Sequence, residues 1–377
     1  MKRQMVNHLI GISGGKDSAA LAIYMRRKYP NLDIEYYTCD TGKELVETYQ
    51  LIRKLNSVLG KDIRMYESEH SKNSPIENPF DHFLATLGGY LPSPTSRWCT
   101  HRMKLEPFET QVGNIPTISY VAIRGDEDRE GFISKKENIQ TIFPFRKNIW
   151  SSDVIKKVLA NDKILEVEKY YEKVLSGGKL IDALYYVKKP LSPQFSEKRK
   201  LNALLNVDVK AFNNMVFLFL KTTNYPVGRL ENFPLIENDE VLVLDDIFNI
   251  LEESGVGVPK YYNPIVYEVE IDGEIKKGTY SRSRSGCYFC FYQQKIEWVW
   301  LLEQHPDLFN KAMEYEKDGY TWMEEPLSQL MKPDRVSDIK KEHYLRMERL
   351  KKRIRTQDTW KDEILNAEGS GCASCFI

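Results

Sequence analysis

The sequence predicts an α/β protein with a doubly wound, mostly parallel sheet, a helical insertion and a helical C-terminal region. Three observations carry that prediction. Short apolar runs alternate with helical stretches as far as about Arg146. A glycine-rich turn, "SGGKDS", separates the first run from the first helix. Beyond Ile149 the texture shifts to segments rich in Lys, Leu, Tyr and Asn. These changes divide the 377 residues into an α/β unit at 1–148, an insertion at 149–240 and a cysteine-containing region at 241–377 that packs on the first unit.

Taken in order, "VNHLIGI" reads as a buried strand and Asp17 to Lys28 as a helix. "LDIEYYTCD" is the second strand, and "ELVETYQLIRKLNSVLG" is a helix with apolar residues at helical spacing. "DIRMYE" and "TISYVAIRG" are further strands. Strands alternating with helices imply ligand contacts just after the carboxyl ends of the strands. In the insertion "KKPLSPQFSEKRK" reads as a connector, and after it "VLVLDDIFNILEESGVGVPKYY" reads as a helix stopped by Gly255, Gly257 and Pro259. From Ile296 onward the pattern is mostly helical and ends in the tail "GSGCASCFI".

Bulk charge is uninformative about partners, because 54 basic residues balance 54 acidic ones. The apolar start of "MKRQMVNHLIGI" is cut by the glycine-rich turn before it reaches signal-peptide length, and no apolar run approaches the roughly 18 residues of a membrane span. A soluble, cytoplasmic protein with no membrane partner is expected. Six cysteines, four of them in "CYFC" and "CASC", suit metal, cluster or sulfur chemistry better than a secreted disulfide framework.

A strand, a Gly-rich turn and a helix N-terminus together offer backbone N–H groups and a favourable dipole to an anion. Gly14 and Gly15 permit close approach, Ser13 and Ser18 supply hydroxyls, and Lys16 adds charge. A Walker-type loop is excluded by spacing: three residues, not four, separate Gly11 from Gly15, and Asp17 follows the lysine. "SGGKDS" after a first strand resembles instead the pyrophosphate loop of the ATP pyrophosphatases, with their adenine nucleotide alpha hydrolase-like fold. These enzymes cleave ATP between its α and β phosphates and adenylate an acceptor. A ligand-free strand–turn–helix is the competing reading of the loop.

Three further stretches narrow the resemblance. "CDTGKELVETY" is similar to the second-strand turn of the 3′-phosphoadenylylsulfate (PAPS) reductase branch. "SRWCTHRMKLEPF" resembles that branch's Arg, Cys and Lys–Pro pattern, and particularly the sulfur-inserting subunit of DNA phosphorothioation systems of the DndC and SspD type. In "VAIRGDEDREG", Arg124 matches the branch's phosphate-facing arginine. Finally, "YSRSRSGCYFC" carries Arg282 and Arg284, whose guanidinium groups suit phosphate, and the C-x-x-C pair Cys287 and Cys290.

The resemblance implies that Ser13, Gly14, Gly15, Lys16, Asp17 and Ser18 hold ATP phosphates with Mg²⁺, and that Asp40, Thr41, Gly42, Arg97, Lys104, Arg124 and Arg284 complete the nucleotide site. Lys16, Asp17, Arg124 and Arg282 would carry catalysis. It also implies a [4Fe–4S] cluster on Cys99, Cys287 and Cys290, with zinc on the two C-x-x-C pairs, or no metal, as alternatives. The run "GTYSRSRSG" departs from the family by lacking a further cysteine, so a fourth ligand would come from Cys372 or Cys375, or a three-cysteine site would leave one iron open to sulfide or substrate. The implied substrate is the DNA phosphate backbone, with a cysteine desulfurase and other phosphorothioation proteins as partners. Open alternatives are PAPS or adenylylsulfate reduction, tRNA thiolation, and nucleotide sensing in a defence complex without turnover. The basic runs "KKPLSPQFSEKRK" and "RMERLKKRIR" read as solvated faces, so partner proteins would present the DNA.

Overall fold

The computed structural model describes residues 6–127, 129, 133–317 and 319–353. Strands β1 (Asn7–Gly11), β2 (Ile34–Thr38), β3 (Ile63–Met65), β4 (Thr117–Tyr120) and β5 (Ile139–Ile142) form one parallel sheet in the order β3-β2-β1-β4-β5. His8 is in register with Ile34 on one side and Ile118 on the other. Strand order therefore reverses on either side of β1, creating a switch point between β1 and β4, where open sheets of this kind leave a crevice.

The helix Lys16–Lys28 buries Ala19 through Met25 without a solvent face, because the sheet lies on one side and the helix Leu244–Glu253 on the other. By contrast, Val46–Leu59 buries Thr48, Leu51, Leu55 and Leu59, a single stripe at helical spacing, and ends at Gly60 in the left-handed conformation (φ 62°). The insertion helices Ile164–Val174, Gly177–Lys188, Glu197–Val207 and Val209–Leu220 extend the same core through Val167, Val187, Leu204 and Phe212. No single helix among the described residues is long and apolar enough to cross a membrane. The last two insertion helices are apolar when taken together, but they meet at 117° and bury their apolar faces in the core.

Two features depart from the expected element list. The stretch "TISYVAIRG" pairs as a strand over Thr117–Tyr120 only. Val121 N still reaches Ile142 O at 2.9 Å, and Ile123 N then turns back onto Val121 O at 3.0 Å, so that Arg124 is carried inward. The C-terminal region, although mostly helical, contains an antiparallel hairpin of β6 (Ile265–Ile271) and β7 (Glu274–Tyr280). Asp272 and Gly273 make its turn with φ of 53° and 79°, the double positive φ of a two-residue hairpin turn that Asp-Gly satisfies. A second, aromatic-rich core joins this hairpin to Phe80, Trp98, Phe289, Trp298 and Trp322.

His8 ties β1 to β4, its Nδ1 lying 2.7 Å from the Tyr120 hydroxyl. Burial lowers the imidazole from 6.5 to about 4, with nearby Asp33 opposing the shift. The unfolded chain takes up this proton near its ordinary value, whereas the folded chain does so only near about 4. Stability from His8 should thus be fully present above about pH 6.5 and decline by on the order of 3 kcal/mol toward about pH 4. Urea unfolding across that range should show a shallower pH slope for His8→Gln; identical slopes would contradict this assignment.

Candidate active site

The loop after β1 is shaped by what surrounds it. Gly14 has φ 75°, and a Cβ there would sit 2.2 Å from Thr48 Cγ2. A Cβ on Gly15 would lie 2.6 Å from Ser285 Oγ, so the loop packs directly against the "SRSRSG" segment after β7. Within the loop, the Ser13 and Ser18 hydroxyls are 3.1 Å apart, and Ser18 Oγ also accepts from Ser13 N at 3.2 Å. Gly15 is the N-cap of the Lys16–Lys28 helix and offers no capping side chain, while the Tyr262 hydroxyl accepts from Lys16 N at 3.5 Å. The helix thus keeps the anion-attracting character of an N-terminus.

Beneath the loop lies a group of fully buried charges. Lys16 Nζ meets Asp17 Oδ2 at 3.1 Å, and Arg124 Nη1 meets Asp17 Oδ1 at 2.7 Å. Arg124 also reaches Asp126 Oδ1 through Nε at 2.8 Å and Glu127 Oε1 through Nη2 at 3.5 Å. Burial by itself would raise the Asp17 carboxyl, but Lys16 and Arg124 outweigh it and hold the group down at about 2. The Lys16 ammonium further faces the Tyr262 ring at 5.0 Å, while Tyr261 donates its hydroxyl to Gly14 O at 3.2 Å.

Arg282 is also fully buried. Its backbone N–H donates to Tyr261 O at 2.9 Å and its Nη2 to Cys287 O at 3.3 Å, and the guanidinium lies 5.9 Å from the Trp300 ring centre. Its Nε and Nη1 have no hydrogen-bond partner among the described residues. A buried cation with two unused donors is costly unless an anion can complete it.

The turn after β2 abuts the cysteine segment. Asp40 Oδ1 accepts from Gly42 N and from the Tyr49 hydroxyl, both at 2.8 Å, so Asp40 shapes the turn. Thr41 Oγ1 lies 3.1 Å from Cys287 Sγ and donates to Glu44 Oε1 at 3.0 Å. A backbone bridge between Glu44 and Cys287, with Tyr288 N donating to Lys43 O at 2.9 Å, fixes this junction. Glu44 is held above the usual carboxylate range by burial, and burial likewise pushes the Cys99 thiol up to about 11 and Cys287 well above its ordinary value.

Ser13, Thr41, Lys104, Arg284, Cys99, Cys287 and Cys290 all line one cavity of about 40 Å³. Lys16, Asp17, Arg124 and Arg282 are buried residues of the surrounding structure. Arg97 stacks 5.8 Å from the Tyr292 ring, itself part of the cavity wall. Three thiols supply a suitable donor set for a metal or cluster, yet no group of three His, Cys, Asp or Glu among the described residues is placed to hold a metal ion. The cysteines converge on one cavity without forming a coordinating arrangement in this conformation. Cys372 and Cys375 lie outside the described residues.

Tyr261, Tyr262, Glu44 and Ser285 contribute to the site without having been singled out by sequence. Tyr262 is 246 residues from the Lys16 it faces. Two of these four were adjacent to a motif: Glu44 follows "DTG", and Ser285 lies inside "SRSRSG".

Residues 7–149 match the phosphoadenosine phosphosulfate reductase domain, a family that binds nucleotide substrates. The matched span contains the loop, Asp40 to Gly42, Arg97, Cys99, Lys104 and Arg124. No curated protein and no solved structure matches the chain.

The Asp17 network sets a stability expectation. Asp17→Asn should cost about 3 kcal/mol or more in urea unfolding at pH 7, because it leaves Lys16 and Arg124 buried without their shared carboxylate. Asp40→Asn, which weakens two hydrogen bonds of a turn, should cost about 1 kcal/mol. Equal losses would contradict the role given to Asp17.

Proposed function

We propose that the chain is an ATP pyrophosphatase that adenylates an acceptor oxygen for sulfur insertion, with a non-bridging oxygen of a DNA phosphate as the acceptor. The observation that carries the reading is Arg282: fully buried, with Nε and Nη1 unpartnered among the described residues, and three positions before Ser285, which packs on Gly15 of the glycine loop. The β and γ phosphates of ATP would supply the missing anion. Mg²⁺ would arrive with the phosphates, since Asp17 is already engaged by Lys16 and Arg124.

The acceptor oxygen attacks the α phosphorus and pyrophosphate leaves, its charge met by Lys16, Arg282 and the helix N-terminus. Asp17 and Arg124 position Lys16 and the loop. A sulfur nucleophile then forms a P–S bond to the acceptor phosphorus, and the adenylated oxygen departs with AMP. A cysteine desulfurase is the proposed sulfur source: the terminal sulfur of its persulfide is the nucleophile, and external thiols then reduce the resulting S–S bond, leaving the phosphorothioate and a disulfide.

The choice of DNA rests on the resemblance carried by "SRWCTHRMKLEPF". Protein purified anaerobically and given ATP, Mg²⁺ and DNA should release AMP and pyrophosphate, and Ser13→Ala should reduce that release by at least 10-fold, a loss of the size expected for a single transition-state hydrogen bond. Intact ATP together with consumption of PAPS in the presence of a thiol would overturn this reading in favour of a reductase.

A further inference from the structure

The helical insertion carries an open groove of about 1200 Å³, formed by the helices Gly177–Lys188 and Glu197–Val207 and the connector between them. Tyr185, Tyr186 and Phe195 supply rings to its wall, Lys179, Lys189 and Arg199 supply cations, and Asp182 is the one acid there. Lys189 Nζ lies 3.7 Å from the Tyr185 ring centre and 5.8 Å from those of both Tyr186 and Phe195, and the Arg199 guanidinium is 6.0 Å from Phe195. Among the described residues neither Lys189 nor Arg199 is paired with a carboxylate. Tyr185 is 57% exposed.

The connector is a built element. Lys200 is buried, 2% exposed, and donates its ammonium to Val187 O and Lys189 O, both at 2.8 Å, which fastens the end of one helix to the start of the next. Asn161 holds Leu191 through both backbone groups, at 2.6 and 3.2 Å. Ser192 and Phe195 exchange backbone hydrogen bonds at 3.2 and 3.0 Å, and this tight turn presents the Phe195 ring to the groove.

We propose that this groove binds single-stranded nucleic acid, with bases stacked on Tyr185 and Phe195 and phosphates met by Lys189 and Arg199. The exposed Tyr185 ring and the half-buried Phe195 ring, interleaved with Lys189 and with Arg199, whose Nη1 donates to Gln194 O at 3.1 Å but meets no carboxylate, fit a chain that alternates flat bases and charged phosphates. A duplex offers the cations its phosphates but keeps its base faces stacked away from the rings. Gln194, Asn202 and Asn206, also in the wall, add hydrogen-bonding groups for base edges. The groove shares no lining residue with the cavity at the ATP loop, and the proposal does not rest on adenylation.

The test is fluorescence anisotropy of labelled 20-nucleotide single-stranded DNA, single-stranded RNA and duplex DNA, without ATP, at low and moderate salt. At least one single strand should bind 10-fold or more tightly than the duplex, and the better of the two identifies the source. Tyr185→Ala, at a position that leaves the core untouched, should weaken that binding by about 10-fold. Lys189→Gln should weaken it and reduce the salt slope by about 0.7. Equal affinity for duplex and single strands, no loss in Tyr185→Ala, or no binding at all would overturn the proposal. AMP release is read separately, with ATP, Mg²⁺ and duplex DNA, so failure of either proposal is distinguishable from failure of the other.

Discussion

Asp17 accepts hydrogen bonds from Arg124 at 2.7 Å and Lys16 at 3.1 Å in a region that excludes water, and the geometry of the site follows from that pairing. A carboxylate and two cations buried together are tolerable only with close contacts and few unused donors. Meeting that condition fixes the first turn of the helix after β1 against the segment after β4, and so closes the sheet's switch point around a defined set of charges. Tyr261 and Tyr262 complete the enclosure, one holding Gly14 O and the other facing Lys16. The loop is thus preorganised by groups from three distant parts of the chain.

The second core serves the site by placement. Its hairpin delivers "SRSRSG" onto Gly15, and Cys287 bridges to Glu44. Arg282 enters from this side with two donors unspent, while Lys16 and Arg124 enter from the sheet with Asp17 between them. A phosphate chain would meet Lys16, already balanced by Asp17, and Arg282, with two donors unspent. That difference is what an enzyme needs to bind charge without rearranging its own.

Much of the frame was legible because its physics is local. The glycines of "SGGKDS" and the apolar runs before each turn depend on neighbours in sequence, and β1, β2 and β3 follow from them. The hairpin carried a local signal as well, in Asp272-Gly273 between alternating residues. β5 was not legible: Ile139 to Ile142 are buried on both faces, so the strand has no alternation to read. Among the candidate site residues, the cavity gathers Ser13, Thr41, Lys104, Arg284 and three cysteines from separate motifs, whereas Tyr261 and Tyr262 matter through contacts across some 246 residues that no spacing rule encodes. The connector "KKPLSPQFSEKRK" shows the same limit, since its lysines read as solvated until folding places Phe195 and Tyr185 beside them.

The measurement that bears most directly on the site is the paired stability and ATP affinity of Arg282→Met. A buried guanidinium kept for a ligand is a burden on the empty protein, so replacing it with an apolar chain of similar length should leave the melting temperature unchanged or raised. The same variant should bind ATP at least 10-fold more weakly by titration calorimetry. A variant that melts lower and binds ATP as before would show that Arg282 serves the fold, and would remove the central support for a phosphate site.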